Sequence, residues 1–109
     1  MDIRQLTDEM NRFVKSKGWY ETESSRPQTA RNLAISLALE AAEVLEHYQW
    51  GDAADSKDDL RAELADVALY LLQLASVTGI DLEEAVLEKL KKNYTRQWDV
   101  KDNIQEDKS

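Results

Sequence analysis

Residues 29–48 read TARNLAISLALEAAEVLEHY, and residues 56–78 read SKDDLRAELADVALYLLQLASVT. Both runs are rich in Ala and Leu and free of Gly and Pro, a composition that favours helix. Each carries two carboxylates three residues apart: Glu40 with Glu43, and Glu63 with Asp66. On a helix that spacing puts both members of a pair on one face. A carboxylate in the middle of an apolar segment is costly unless something neutralises it. The two runs therefore predict a pair of long helices with a polar feature inside an otherwise apolar circumference.

At about 100° per residue, Ser36, Glu40, Glu43 and His47 fall in one narrow strip of the first run, with Asn32 at its edge. Leu33, Leu37 and Val44 flank one side and Leu39 the other. The second run repeats the pattern: Asp59, Glu63, Asp66, Tyr70 and Gln73 share a strip between Leu60, Val67 and Leu74 on one side and Leu69 on the other. Two antiparallel helices joined by a short loop can turn such strips toward each other. Four converging carboxylates without a partner repel and raise one another's pKa values. Mg²⁺ or Mn²⁺, bound by oxygen ligands, removes that conflict. On pattern alone a metal site and two solvated acidic faces both remain open. A di-iron carboxylate site fits poorly, because such sites use Glu-x-x-His on two helices. The single histidine, His47, follows Glu43 by four residues and is read as a structural residue or a neighbour of the site rather than a ligand.

Outward from this pair, three Gly and one Pro in 109 residues point to an all-helical domain. A first helix is expected over about Ile3 to Ser16, with Ile3, Leu6, Met10, Phe13 and Val14 as its apolar stripe and Gly18 at its end. Trp19 to Gln28 is a loop broken most strongly at Arg26-Pro27. The second helix runs from about Thr29 to Tyr48, followed by a loop over Gly51 to Asp55. Ser56 caps the third, with Asp59 in a capping-box variant, and Gly79 closes it after Thr78. Asp81 caps the fourth, with Glu84 at the box position, and this helix is expected to continue to about Trp98. Residues 1–98 make one domain; the charged residues 99–109 lack periodicity and are expected to form a frayed tail.

The length fits a single domain with a modest core, so self-association is expected. With no cysteine, thiolate chemistry and disulfides are excluded. No signal peptide is visible, and charges interrupt every apolar stretch before it could span a bilayer; a cytoplasmic location with no membrane partner is the expectation. A net charge of −8 makes a general nucleic-acid binder a poor fit. It suits a cation-loaded site, although acidity also serves solubility.

Glu40-x-x-Glu43 followed by Glu63-x-x-Asp66 resembles the ExxE…ExxD signature of MazG-like all-α nucleoside triphosphate pyrophosphohydrolases. The likeness extends through Arg31-Asn32-Leu33, Tyr48-Gln49-Trp50, Asp66-Val67-Ala68-Leu69-Tyr70, and Lys89-x-x-x-Asn93 with Arg96. It covers roughly residues 3–98 and is similar to the dCTP pyrophosphatase branch and to integron-associated MazG-like proteins. The resemblance implies a four-helix bundle completed by dimerisation, as a homodimer or homotetramer. It implies hydrolysis of (deoxy)nucleoside triphosphates to monophosphate and pyrophosphate, serving dNTP house-cleaning with dCTP-like or broad preference. Glu40, Glu43, Glu63 and Asp66 would hold Mg²⁺ (or Mn²⁺) and carry catalysis. Lys89, Asn93 and Arg96 would meet the triphosphate with Tyr70 alongside, and Trp19 and Trp50 would border the base. One departure stands out: where that branch carries a base-contacting histidine in its first helix, this chain has Met10 or a neighbour, which weakens the implication of strict cytosine preference. A non-catalytic helical interaction module and a phosphoribosyl-ATP pyrophosphatase-like enzyme are the competing readings.

Overall fold

The computed structural model describes residues 1–96. Among these there are four helices and no strand: α1 (Ile3–Ser16), α2 (Ala30–Glu46), α3 (Lys57–Val77) and α4 (Leu82–Tyr94). Each begins at a side chain that accepts from the third residue on. Asp2, Thr29, Ser56 and Asp81 receive the backbone N–H of Gln5, Asn32, Asp59 and Glu84 in turn, satisfying donors that the helix itself leaves orphaned. At α1 the box is reciprocal, since the Asp2 N–H donates to Gln5 Oε1 at 2.8 Å.

Gly18 and Gly79 end α1 and α3 with φ of +71° and +74°, the left-handed conformation that side chains resist. In both cases the residue beyond the glycine donates back into the helix, Trp19 to the Val14 carbonyl at 3.3 Å and Ile80 to that of Ala75 at 2.8 Å. This is the Schellman arrangement, and at α1 it fixes the direction in which Trp19 leaves the helix. The fourth helix stops earlier than the periodicity suggests. At Thr95 the backbone N–H and the hydroxyl both turn to the Lys92 carbonyl, at 3.2 and 2.8 Å, a tightening that closes the last turn. Residues 97 and 98 of the expected continuation and the tail over 99–109 lie outside the described residues.

The third helix is the axis of the fold. α1, α2 and α4 all pack on it and α1 also meets α4, whereas α2 touches α3 alone. The core is correspondingly small. Met10 and Val14 of α1 meet Leu72 of α3, with Ile3, Trp19, Tyr20 and Leu82 packed around them, and Leu33 of α2 is buried separately. Much of the apolar circumference of α2 stays uncovered: Leu39 is 61% exposed and Leu45 69%. So does that of α4, where Val86, Leu87 and Leu90 are exposed and no residue is buried. One chain thus supplies four helices but leaves the bundle open. No single helix among the described residues is long and apolar enough to cross a membrane.

Candidate active site

Because α1 and α2 lean on α3 without touching each other, a cleft of about 710 Å³ opens between them, within the size range of small-molecule sites. Met10, Phe13 and Val14 of α1 form one wall, Leu33 and Ser36 of α2 the other, and Asp66, Tyr70 and Gln73 of α3 the floor. The loop from Trp19 to Gln28 closes one end. Trp19 stands edge-to-face with Phe13, centroids 5.7 Å apart at 87°, and the Arg26 guanidinium lies 5.3 Å over its ring.

Hydrogen bonds around the sole proline hold that loop in place. Gln28 Nε2 donates to the Arg26 carbonyl at 2.7 Å, and Asn32 Nδ2 to the Pro27 carbonyl at 3.1 Å. Gln73 Nε2, reaching up from α3, donates to Gln28 Oε1 at 2.6 Å. Gln73 is itself buried and also meets the Tyr20 hydroxyl. That hydroxyl donates to Asn11 Oδ1 at 2.6 Å, and Asn11 Nδ2 to Ser76 Oγ at 2.9 Å. Burial pushes the Tyr20 phenol up, against the opposing bond from Gln73.

The carboxylate strips meet at the α2–α3 contact. Desolvation raises the Glu40 pKa above the ordinary carboxylate range, and Glu43, Asp66 and Glu63 raise it further through their charges. Glu40 Oε1 is buried and has no hydrogen-bond partner. A cation would satisfy a stranded acceptor of this kind, and the donor set, four carboxylates without thiol, is of the type that suits a hard divalent ion. The four share one electrostatic field without closing into a ligand cage: no three His, Asp or Glu side chains among the described residues are gathered tightly enough to hold an ion as they stand. Asp66 belongs both to the strip and to the floor of the cleft, so the acidic cluster opens directly into the aromatic cavity.

Of the residues singled out from the sequence, Trp19, Tyr70 and Asp66 line the cleft, and Glu40, Glu43 and Glu63 adjoin it through Asp66. Trp50, Lys89, Asn93 and Arg96 are not among its lining residues. Trp50 is 86% exposed in the α2–α3 loop. Lys89 is exposed on α4, a helix that packs on α1 and α3 but not on α2, and Asn93 and Arg96 are half-buried at its end. Met10, at or next to the position where the family resemblance implies a histidine, is buried against the cavity. Phe13, Arg26 and Gln28 also line the cleft, although the sequence pattern marks Phe13 only as an apolar stripe residue and the other two only as loop. The Arg-Pro dipeptide was the available signal, since a proline flanked by polar side chains marks a loop with a fixed course.

The sequence profile of the MazG-like family matches residues 35–109. The chain is 32% identical to dCTP pyrophosphatase 1 of Rattus norvegicus over a 104-residue alignment that covers 87% of this chain and 56% of that protein. It is 33% identical to dCTP pyrophosphatase 1 of Homo sapiens with the same coverage. The chain therefore spans little more than half the length of these relatives. Among solved structures, a pyrophosphatase from Archaeoglobus fulgidus superposes with a TM-score of 0.69 at 37% identity, covering 83% of this chain and 86% of that one.

Proposed function

The chain belongs to the MazG-like family, and from that premise we propose that it is a nucleoside triphosphate pyrophosphohydrolase, dependent on Mg²⁺ or Mn²⁺, with a dCTP-like or broad dNTP substrate range. One observation carries the reading: a buried, unpartnered Glu40 oxygen in the field of Glu43, Glu63 and Asp66, opening at Asp66 into a cleft walled by aromatic rings. The pyrophosphatases to which the chain is similar support it.

Glu40, Glu43, Glu63 and Asp66 would hold the cation, which when bound would supply charge neutralisation and Lewis acidity to the phosphoryl oxygens of the triphosphate. Trp19 and Phe13 offer the base apolar ring surface on which it can stack irrespective of its identity. Tyr70 stands on the cavity floor beside Asp66, where its hydroxyl can meet the sugar or the first phosphate. A water attacks the α-phosphorus, a carboxylate of the strip takes its proton, and the bond to pyrophosphate breaks. The chain has no Gly-rich phosphate loop, so cationic side chains must complete the cradle. Lys89, Asn93 and Arg96 do not line the cleft of their own chain; a second copy docked on the uncovered faces of α2 and α4 would supply this group and Trp50. The homodimer or homotetramer is thus part of the proposal, supported by the apolar surface that one chain leaves open.

Incubation with each dNTP and Mg²⁺, with products separated by ion-exchange chromatography, tests the reading. Monophosphate and pyrophosphate in equal amounts, abolished by chelator, are expected. Diphosphate with inorganic phosphate would place the attack at the wrong phosphorus and refute the mechanism. An absence of turnover with every dNTP would leave a helical interaction module.

A further inference from the structure

We propose that His47 is a positioning residue for the cation site: it donates a hydrogen bond that pins Glu63 in a ligating orientation without itself binding the ion. The inference rests on the metal reading above and extends it to a residue outside the ExxE…ExxD pattern.

His47 is the C-cap of α2 and is 8% exposed. Its Nε2 lies 2.6 Å from Glu63 Oε1, a side-chain bond that ties α2 to α3. An ionised carboxylate can only accept, so the ring proton sits on Nε2. Nδ1 is buried and has no hydrogen-bond partner. The ring therefore makes its one bond with Glu63 and strands its other nitrogen. For packing alone this is a poor choice, because a leucine would fill the space without a buried unsatisfied atom. The bond must compensate by what it does to Glu63.

What it does is occupy one oxygen and fix the plane of the carboxylate, leaving Oε2 for the cation. Groups that hold a metal ligand by hydrogen bonding set its orientation and commonly matter nearly as much as the ligand. The two strips then divide the work. Glu63 is pinned in advance, whereas Glu40, whose Oε1 has no partner, is the ligand left to adjust. The spacing explains why the strip of α2 runs on to His47: four residues beyond Glu43 is one more turn on the same face.

Binding of Mn²⁺ alone, followed by the electron paramagnetic resonance of the free ion, is compared for wild type, His47→Leu and His47→Gln, with circular dichroism melts as the check on folding. His47→Leu should weaken Mn²⁺ binding by about 10–100-fold, and His47→Gln, which keeps an N–H near the Nε2 position, should recover most of it. A folded His47→Leu that binds Mn²⁺ as tightly as wild type overturns the proposal. Should His47→Leu fail to fold, the wild type decides, because the chain has one histidine and its ring signals need no assignment. In ¹H–¹⁵N spectra Nε2 should be the protonated nitrogen, and both ring nitrogens should shift on saturation with Mg²⁺. Ring signals that stay put while Mg²⁺ binds overturn it. A wild type that binds neither ion refutes the metal reading itself, a result distinct from a wild type and a His47→Leu variant that bind equally.

Discussion

Glu40→Met should make the metal-free protein more stable and the enzyme inactive. Methionine keeps the length of the side chain and removes both the charge and the stranded acceptor. An unsatisfied buried polar group costs about 1–3 kcal/mol. Because Glu40 as a whole is only half-buried, the low end of that range, about 1 kcal/mol, is the one to use. Removing a negative charge from beside Glu43, Glu63 and Asp66 acts in the same direction, since these neighbours disfavour the ionised form. For a domain of this size about 1 kcal/mol corresponds to a rise in Tm of roughly 4–8 °C. Circular dichroism melts in chelator should show it. In Mg²⁺ the order should reverse, because a ligand that binds only the folded state at about a hundred times its Kd stabilises by about 2.7 kcal/mol, and the variant has lost a ligand. A Glu40→Met protein that melts below wild type in chelator would mean that Glu40 is held by favourable contacts, and the argument from the stranded oxygen would be wrong.

Three further outcomes are expected. Trp19→Ala should raise KM for every dNTP by roughly 5–150-fold, the equivalent of about 1–3 kcal/mol of base stacking, with kcat less affected; steady-state kinetics on dCTP and dATP check it, and an unchanged KM refutes the stacking role. The Asp81 carboxyl, which accepts the Glu84 N–H and is paired with Arg4 at 2.8 Å, is held below its ordinary range, so the unfolded chain protonates it first: its stabilisation is complete above the unfolded pKa and is lost as pH falls through the lower folded value. Asp81→Asn, which keeps the capping oxygen, should flatten the acid limb of stability in urea melts, and an unaltered slope counts against the pairing. Leu39→Glu combined with Leu45→Glu, two leucines that α2 leaves exposed, should yield a monomer by light scattering that retains helix but has lost activity; an intact oligomer places the interface elsewhere.

The acidic site and the aromatic cavity were legible to different degrees. Glu40, Glu43, Glu63 and Asp66 stood out because a carboxylate amid leucines is an anomaly in one dimension, and their three-residue spacing needs only a helix to be interpreted. The loop was not readable in that way. Arg26, Gln28 and Gln73 become site residues through the Gln73–Gln28 bond across 45 positions of sequence, and no periodicity links a loop glutamine to one on α3. His47 lay between the two cases: its place on the strip was evident, but the 2.6 Å approach to Glu63 depends on how α2 is set against α3.

The sequence by itself determined the helices, their caps and the faces on which charge lies. Those features depend on residues within one or two turns of each other: Asp2, Thr29, Ser56 and Asp81 bond to N–H groups three positions on, and Gly18 and Gly79 end helices because only a residue without a Cβ takes that turn freely. Tertiary structure alone decided that α1 and α2 stand apart on α3 and so leave a cleft, that Trp19 enters it while Trp50 stays in solvent, and that Lys89 lies away from it in its own chain. Those outcomes turn on the volumes packed between helices and on bonds between distant segments. They are properties of the assembled molecule, with no counterpart in the spacing along the chain.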